Sequence, residues 1–479
     1  MSSGIFPTWL KFSQVVPIIK KSDKDKLTNY RPISLLTSFS KIFEKVIYKR
    51  LDNHMLFNNI LAKEQYGFRN NTSTEKAMYQ LTNNILKALD NKYLVGGIFC
   101  NLTEALDCVD HGILLDKLEY YSIKGSANNL MKSYLKDRHQ RVVIRNKYSS
   151  THYSRWNKIT REVPQGSVLG PLLFLTYIND LPATINHISA PTLFADDTNI
   201  ICIHQDLKLC NKTIEETFLK INKWFQSNSP ILNHNKTKLI QFSTKINLEN
   251  STCIDDEHNN MGNTQSTSFL GLILDKTLSW QLHIETICAK LKSACYILRS
   301  LNPFLSVSNL KTIYFSYIHS NITYSIIFWG NSINSDEVFK LQKRAIRIIT
   351  NACSRTSCCN LFKELNILPL QSQYILSLAV YVAKNKEDFI SNLDVHSINT
   401  RHKSSLHPPL LRLTKSQRGV YYAGIKIYNC LPLKIKELSG KIKLFKKSLK
   451  KFLLHGSFYT MEEYLDWTSL TDLNNLYYN

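Results

Sequence analysis

Hydrophobic and polar positions change their rhythm along the chain. Near the N-terminus a short apolar stretch, Val15 to Ile19, is followed by a polar turn, Lys20 to Thr28. Beyond it Ile42, Phe43, Val46, Ile47 and Leu51 recur at helical spacing, which predicts a helix carrying all five on one face. A second helix is expected from Ser73 to about Leu89, with Thr74-Glu75 near its start. From Leu94 the pattern shifts toward strands. Leu94 to Phe99 reads as a buried strand, Val163 to Gln165 and Thr192 to Ala195 as strand ends feeding turns, and Ile200 to Ile203 as the strand returning from the second turn. Helices interleave, as at Glu215 to Phe225, which stops before Ser227-Asn228-Ser229-Pro230. Strand pairs mixed with helices predict an α+β domain rather than a doubly wound sheet.

The second half reads differently. Residues 246 to 264 are polar and rich in Asn, a boundary loop, and after about residue 280 the chain is expected to be mostly helical. The run from Thr312 to Gly330 is rich in Tyr, Ile and Phe. Ser316, His319, Asn321 and Thr323 interrupt it, so it predicts a buried helix and not a membrane span. Residues 434 to 451 contain eight lysines, with Ile442, Phe445, Leu449, Phe452 and Leu453 on the opposite face, an amphipathic basic helix.

Composition narrows the function. A chain of 479 residues with 43% hydrophobic content has material for several domains, and 20% charged residues argues against global disorder. Its net charge of +23, from 60 basic and 37 acidic residues, favours a polyanionic partner, nucleic acid before an anionic membrane. The first fifty residues alone carry ten Lys or Arg against three acids. Eleven cysteines are scattered without a CxxC pair, and the cluster Cys353, Cys358 and Cys359 has no nearby histidine pair to complete a zinc site. They read as reduced thiols of an intracellular protein. The N-terminus shows no signal-peptide pattern.

The sharpest chemical signal is Phe194-Ala195-Asp196-Asp197, two adjacent acids between apolar strands. Carboxylates at a hairpin tip suit a divalent ion such as magnesium. A pair of ions about 4 Å apart needs a further acid from another strand. Alone, Asp-Asp after an apolar strand is weak evidence, because an ordinary solvated turn is the commoner source of that pattern.

Motifs upstream and downstream give the turn its context. Asn29 to Leu36 (NYRPISLL), Gly67-Phe68-Arg69 with Ser73-Thr74-Glu75, Phe99 to His111, and Pro164 to Phe174 (PQGSVLGPLLF) with Ile178 to Pro182 precede or flank the Asp-Asp turn. Leu232-Asn233 with Lys236-Thr237, and Phe269-Leu270-Gly271 with Leu278-Ser279-Trp280 and His283, follow it. In content and order these resemble the motifs of reverse transcriptases from non-LTR retrotransposons of the jockey and LINE type. The resemblance extends to Tyr428 to Pro432, nearly the whole chain.

That resemblance implies an α+β right-hand polymerase fold, with fingers over 1–92, palm over 93–245, motif E and thumb over 246–345, and a mostly helical basic C-terminal region over 346–479. It implies RNA template, DNA primer or target, and deoxynucleotide triphosphates as partners, Mg2+ as cofactor, and no membrane contact. Action at nuclear DNA after cytoplasmic translation would follow. Asp196 and Asp197 would hold metal, and Lys236 would protonate the leaving pyrophosphate. Arg31 would hold triphosphate oxygens. Gln165 and Gly166 would meet the templating base and incoming nucleotide. Leu270 and Gly271 would position the primer end. The family's endonuclease is expected to be absent, since the chain begins inside the segment preceding the fingers.

Two positions depart from the family pattern. Asn101 stands where the family has a catalytic, metal-holding aspartate. Its amide oxygen can coordinate metal but brings no negative charge. The expected cost is several kcal/mol of transition-state stabilisation, roughly three or more decades in rate. Asp107 and Asp110 do not replace it. Leu106 stands where the family has a bulky aromatic that blocks the ribose 2′ hydroxyl, which implies weaker sugar discrimination. The alternative reading is a catalytically dead nucleic-acid-binding protein that retains the fold.

Overall fold

The structure is a computed structural model and describes residues 3–20, 23–103, 108–145, 150–228, 231–232, 237–244, 264–395 and 405–470. Among them, runs of Val, Ile, Phe and Thr form the strands β1 (Phe12–Ile19), β2 (Tyr30–Leu35), β3 (Leu94–Thr103), β4 (Arg138–Arg145), β5 (Thr151–Tyr153), β6 (Asn157–Ile159), β7 (Ala190–Phe194), β8 (Asp197–His204), β9 (Ile231–Leu232), β10 (Lys238–Phe242), β11 (Ser266–Phe269) and β12 (Leu272–Asp275). They make one sheet in the order β2-β1-β4-β5, with β6 on β4, and a second in the order β10-β3-β8-β7, with β9 on β3. Strands β11 and β12 pair as a hairpin. The α+β class expected from the sequence is the class observed. The chain divides into two compact units, built chiefly from Met1–Leu81 with Leu94–Gln241, and from Thr82–Tyr93 with Gln265–Asn479.

The first unit carries both large sheets and the helices α1 (Ser38–Phe57), the start of α2 (Thr74–Asp90), α3 (His111–Tyr120), α4 (Ser126–Leu135), α5 (Gly170–Ile178), α6 (Leu181–Ile185) and α7 (Leu207–Ser227). Its core joins Ile98 of β3, Leu193 and Ile200 of the β7–β8 hairpin, Leu172 to Phe174 of α5 and Ile221 of α7, all nearly inaccessible to water. Strand β3 is paired on both edges, by β8 and β10, and the consecutive residues Val95 to Cys100 are all buried, so both its faces are covered and this stretch carries no charged residue.

Helix α1 turns a different face inward from the one its apolar residues suggest. The buried positions are Ser40, Glu44, Ile47, Leu51 and Met55, whereas Ile42, Phe43 and Val46 are 57%, 37% and 42% exposed. The cause is Glu44. Its carboxylate accepts hydrogen bonds from Val168 N (2.5 Å) and Leu169 N (3.4 Å) at the start of α5, and from the hydroxyls of Ser40 and Tyr134. These donors satisfy a buried polar group, and the three outside the helix, Val168, Leu169 and Tyr134, turn this face inward. Val163 to Gln165 forms no strand. Pro164 lacks the N–H a ladder needs, and the segment passes into a turn at Gln165-Gly166.

The second unit is helical apart from the β11–β12 hairpin. It contains α8 (Gln281–Leu301), α9 (Val307–Ile313), a π-helical stretch Tyr314–His319, α10 (Ser320–Thr323), α11 (Ile326–Trp329), α12 (Ser335–Ile349), α13 (Cys359–Glu364), α14 (Leu370–Lys384), α15 (Asn392–Val395), α16 (Thr414–Arg418), α17 (Val420–Asn429), α18 (Leu433–Glu437), α19 (Ile442–Gly456) and α20 (Met461–Leu470). The apolar run at 312–330 is buried through Tyr314, Ile318, Ile322 and Ile326 to Trp329, but Phe315, Tyr317 and Tyr324 are exposed and the run is not one helix. It breaks at Ser325, whose φ is 55°. The basic stretch at 434–451 is likewise two helices, because Ser439-Gly440 interrupts it. Phe445, Leu449, Phe452 and Leu453 of α19 are buried and Ile442 is half-buried. Among the described residues no helix is long and apolar enough to cross a membrane. The ten described cysteines are all free thiols. The expected boundary loop lies, up to residue 263, outside the described residues.

Candidate active site

The site is built from one antiparallel register. Strands β3 and β8 pair from Leu94 opposite His204 down to Asn101 opposite Asp197. On the other side of β8, Phe194 of β7 faces Asp197. Two residues, Ala195 and Asp196, close the β7–β8 hairpin. Directly opposed residues on antiparallel strands have Cα atoms roughly 4.5–5.5 Å apart. The backbone therefore brings residue 101 and the Asp-Asp turn to one edge of the sheet. Asp196 is exposed and Asp197 is half-buried.

A loop outside the hairpin holds this turn in shape. Gln65, 3% exposed, accepts hydrogen bonds through Oε1 from Ala195 N (3.0 Å) and from Gly67 N (2.8 Å). Tyr66 N donates to Leu193 O, and Leu193 N donates to Glu64 O, both at 2.8 Å. The loop backbone thus adds a short parallel bridge to β7. Gly67 packs so tightly that a Cβ there would lie 2.2 Å from Ala195 N. Ala195 itself sits at φ 54°, the left-handed region that costs a non-glycine residue energy unless its surroundings hold it.

Further links tie the loop to α5. Arg69 Nη1 donates to the carbonyls of Ala62 and Gln65, and Thr72 Oγ1 to those of Tyr66 and Arg69. Asn179, just past α5, accepts from Ala62 N (2.7 Å) and donates to Ile60 O (2.8 Å). Asp180 pairs with Lys117 at 2.7 Å. The Ile178 to Pro182 motif is thus a brace behind the turn. Gln65 carried no signal in the sequence reading, and its neighbours Gly67-Phe68-Arg69 were the available pointer.

Arg31 and the Gln165-Gly166 turn meet through β2. Ser34 N donates to Gln165 O at 2.8 Å. Gly166 has φ 120°, and a Cβ there would come within 2.7 Å of Ser34 O, so only glycine fits. Arg31 is exposed on the same strand. Asp110 accepts from Gly112 N (2.8 Å) and Ile113 N (3.1 Å) and so caps α3. Leu106, Asp107 and Lys236 lie outside the described residues. Beside Asn101, burial pushes the Cys100 thiol up to about 12, which makes it a packing residue and not a nucleophile.

Leu270 and Gly271 form the tip of the β11–β12 hairpin in the second unit, at φ 48° and 82°. The Tyr324 hydroxyl donates to Leu270 O. The residues after β12 have a local structural role. The Asp275 carboxylate accepts from Thr277 N (2.9 Å), Ser279 N (3.0 Å) and Trp280 N (3.1 Å), fixing the entry to α8.

Among the described residues, no three His, Cys, Asp or Glu side chains are grouped to hold a metal ion. The hairpin tip offers two carboxylates, Asp196 and Asp197, and the backbone position paired with Asp197 is an asparagine. Carboxylate oxygens of this kind fit a hard divalent ion. The set lacks one negative charge for a pair of ions.

Similarity to known proteins agrees with this geometry. The chain is 30% identical over 77% of its length to the probable RNA-directed DNA polymerase from transposon BS of Drosophila melanogaster, covering 41% of that protein. It is 26% identical over 73% of its length to the RNA-directed DNA polymerase from the mobile element jockey of the same fly, covering 38% of that protein. The chain thus spans about two fifths of the length of these relatives. An apo telomerase structure from Candida tropicalis aligns with 98% of this chain and 70% of its own at 12% identity and a TM-score of 0.45, too distant to add to the argument. Residues 19–274 match the family described as reverse transcriptase (RNA-dependent DNA polymerase). That match covers more than half of the chain, and the chain belongs to the reverse transcriptase family.

Proposed function

We propose that this chain is the polymerase segment of a non-LTR retrotransposon protein, extending a DNA primer on an RNA template with deoxynucleotide triphosphates, and that Asn101 slows its chemistry. The observation that carries the reading is the register of Asn101 opposite Asp197, beside the Asp196-Asp197 tip. In this reading residues 1–92 act as fingers, 93–245 as palm, 246–345 as thumb with the primer-positioning Leu270-Gly271 tip, and 346–479 as a basic helical extension. The protein works inside the cell, in nucleus or cytoplasm.

Asp196, Asp197 and the Asn101 amide would hold Mg2+, which when bound offsets charge on the transferred phosphoryl group. The chain's own residues do the rest. Arg31 binds triphosphate oxygens through its planar guanidinium. Gly166 lets the backbone approach the base pair, with Gln165 beside it. Lys236 supplies a proton to the departing pyrophosphate. Gln65 keeps the Ala195 turn in its left-handed form, which fixes the backbone that carries Asp196 and Asp197.

A second reading, a nucleic-acid-binding protein without catalysis, is favoured by the same amide at position 101 and by the net charge of +23. RNA-templated primer extension separates the two. Purified chain carrying Asn101→Asp is expected to extend a primer, and adding Asp196→Ala should abolish that extension. No extension after the reversion, with salt-sensitive RNA binding retained, would instead support the binding protein.

A further inference from the structure

In the second unit, a recess of about 180 Å³ opens between the π-helical stretch, α14 and α19. Its rim carries Lys446 and Lys450, one turn apart on α19, and His319 at the end of the π stretch, with Asn366 and Gln373 as further polar groups. Lys311 of α9 is close enough to act electrostatically on Lys450. Among the described residues no carboxylate lines the recess. The π stretch, α9, α14 and α19 contain no Asp or Glu. Among the described residues none of Lys311, Lys446 and Lys450 is in an ion pair.

Clustered lysines without a counterion repel one another, and like charges at i and i+4 on a helix are destabilising. Burial and its like-charged neighbours lower Lys450. Burial, then Lys450 and Lys446, push His319 down to about 4. The imidazole is therefore neutral near pH 7 and offers one N–H. Its ring packs edge-on against Phe315 at 5.0 Å, and Phe315 lines the recess while remaining 37% exposed. A π-helical turn is rare and concentrates at functional sites.

We infer that this recess binds a backbone phosphate of a nucleic-acid strand, held by Lys446, Lys450 and the His319 N–H, with the adjoining sugar or base against Phe315. The phosphate supplies the missing negative charge. A nucleic acid is its source because the chain is a reverse transcriptase with a large basic excess. The inference rests on the nucleic-acid reading above but does not require catalysis.

The test uses the full chain and a short fluorescein-labelled RNA of mixed sequence. The double variant Lys446→Gln, Lys450→Gln empties the rim of charge. The control Lys443→Gln, Lys447→Gln removes the same charge from exposed positions of the same helix. The rim variant should bind RNA about tenfold more weakly near 0.1 M salt, with the slope of log affinity against log salt reduced by about 1. The control should change less than about threefold, because its lysines do not line the recess. Replacing both rim lysines by arginine should restore binding, and the rim variant should melt no lower than wild type, since it relieves repulsion. By proton NMR, the His319 midpoint should rise when RNA is added to wild type and stay fixed in the rim variant. Equal loss in rim and control variants, or an unmoved His319 midpoint, overturns the inference. So does a rim variant that loses binding only to phosphatidylserine vesicles. Extension by the Asn101→Asp chain is followed in parallel. Its absence alongside rim-dependent RNA binding would sink the polymerase reading and support the recess, and extension with an inert rim would do the reverse.

Discussion

Replacing Gln65 by leucine removes the clamp on the Asp196-Asp197 turn while nearly conserving volume. The side chain is buried, and its Oε1 accepts the N–H groups of Gly67 and Ala195, themselves in buried residues. Leucine leaves both donors without an acceptor. At about 1–3 kcal/mol for each unsatisfied buried group, the loss should be roughly 2–4 kcal/mol after partial relaxation. For a unit of this size that is of the order of 5–10 °C in melting temperature. Gln65→Glu keeps the acceptor and should fall within about 1 kcal/mol of wild type. Chemical denaturation read by tryptophan fluorescence gives the stability difference. Primer extension in the Asn101→Asp background gives the functional one, and there Gln65→Leu should lower kcat with little change in KM, because the turn bears on chemistry and not on nucleotide capture. A Gln65→Leu chain as stable and as active as its parent would refute the clamp.

Other predictions follow from the same geometry. Gly67→Ala should displace the turn and cost at least ~3 kcal/mol, since its Cβ would lie 2.2 Å from the Ala195 nitrogen; denaturant midpoints check this. His283 accepts a hydrogen bond from Ile273 N at Nδ1, and burial, aided by Lys290, pushes it down to about 4. With the folded value below the unfolded one, the unfolded chain binds the extra proton between about pH 6.5 and 4. Stability is therefore complete above that window and falls through it on acidification, by up to a few kcal/mol. His283→Gln should flatten the fall, as seen in melting temperature against pH. In the Asn101→Asp chain, Leu106→Phe should improve exclusion of ribonucleotides by about tenfold or more, on the order of the 1–3 kcal/mol that steric fit supplies in a pocket. Competing incorporation of ribo- and deoxynucleotides measures it.

Much of the frame was legible because the strongest periodic signals were also the ones that packing obeyed. The strand before Asn101, the Phe194–Asp197 hairpin, the helix after Ser73 and the apolar face of α19 all stand where the pattern placed them. The face of α1 was not legible. Its apolar residues outnumber Glu44, yet one buried carboxyl meeting four donors decided the rotation, and three of those donors, Val168, Leu169 and Tyr134, come from distant segments. The Gln65 clamp escaped for a similar reason, since a single glutamine in a polar loop has no period and its partner lies 130 residues away. The break in the run near Ser325 depends on tertiary packing. The break at Ser439-Gly440, by contrast, was written in ordinary helix-stopping residues that the count of lysines concealed.

The account turns on charge at the strand position facing Asp197. Single-turnover incorporation of one deoxynucleotide on an RNA template, wild type beside Asn101→Asp, measures it directly. The expected ratio is about three decades in favour of the aspartate, near 4 kcal/mol at 1.36 kcal/mol per decade. Equal rates in the two chains would mean that position 101 takes no part in the chemistry, and the proposed site would be wrong.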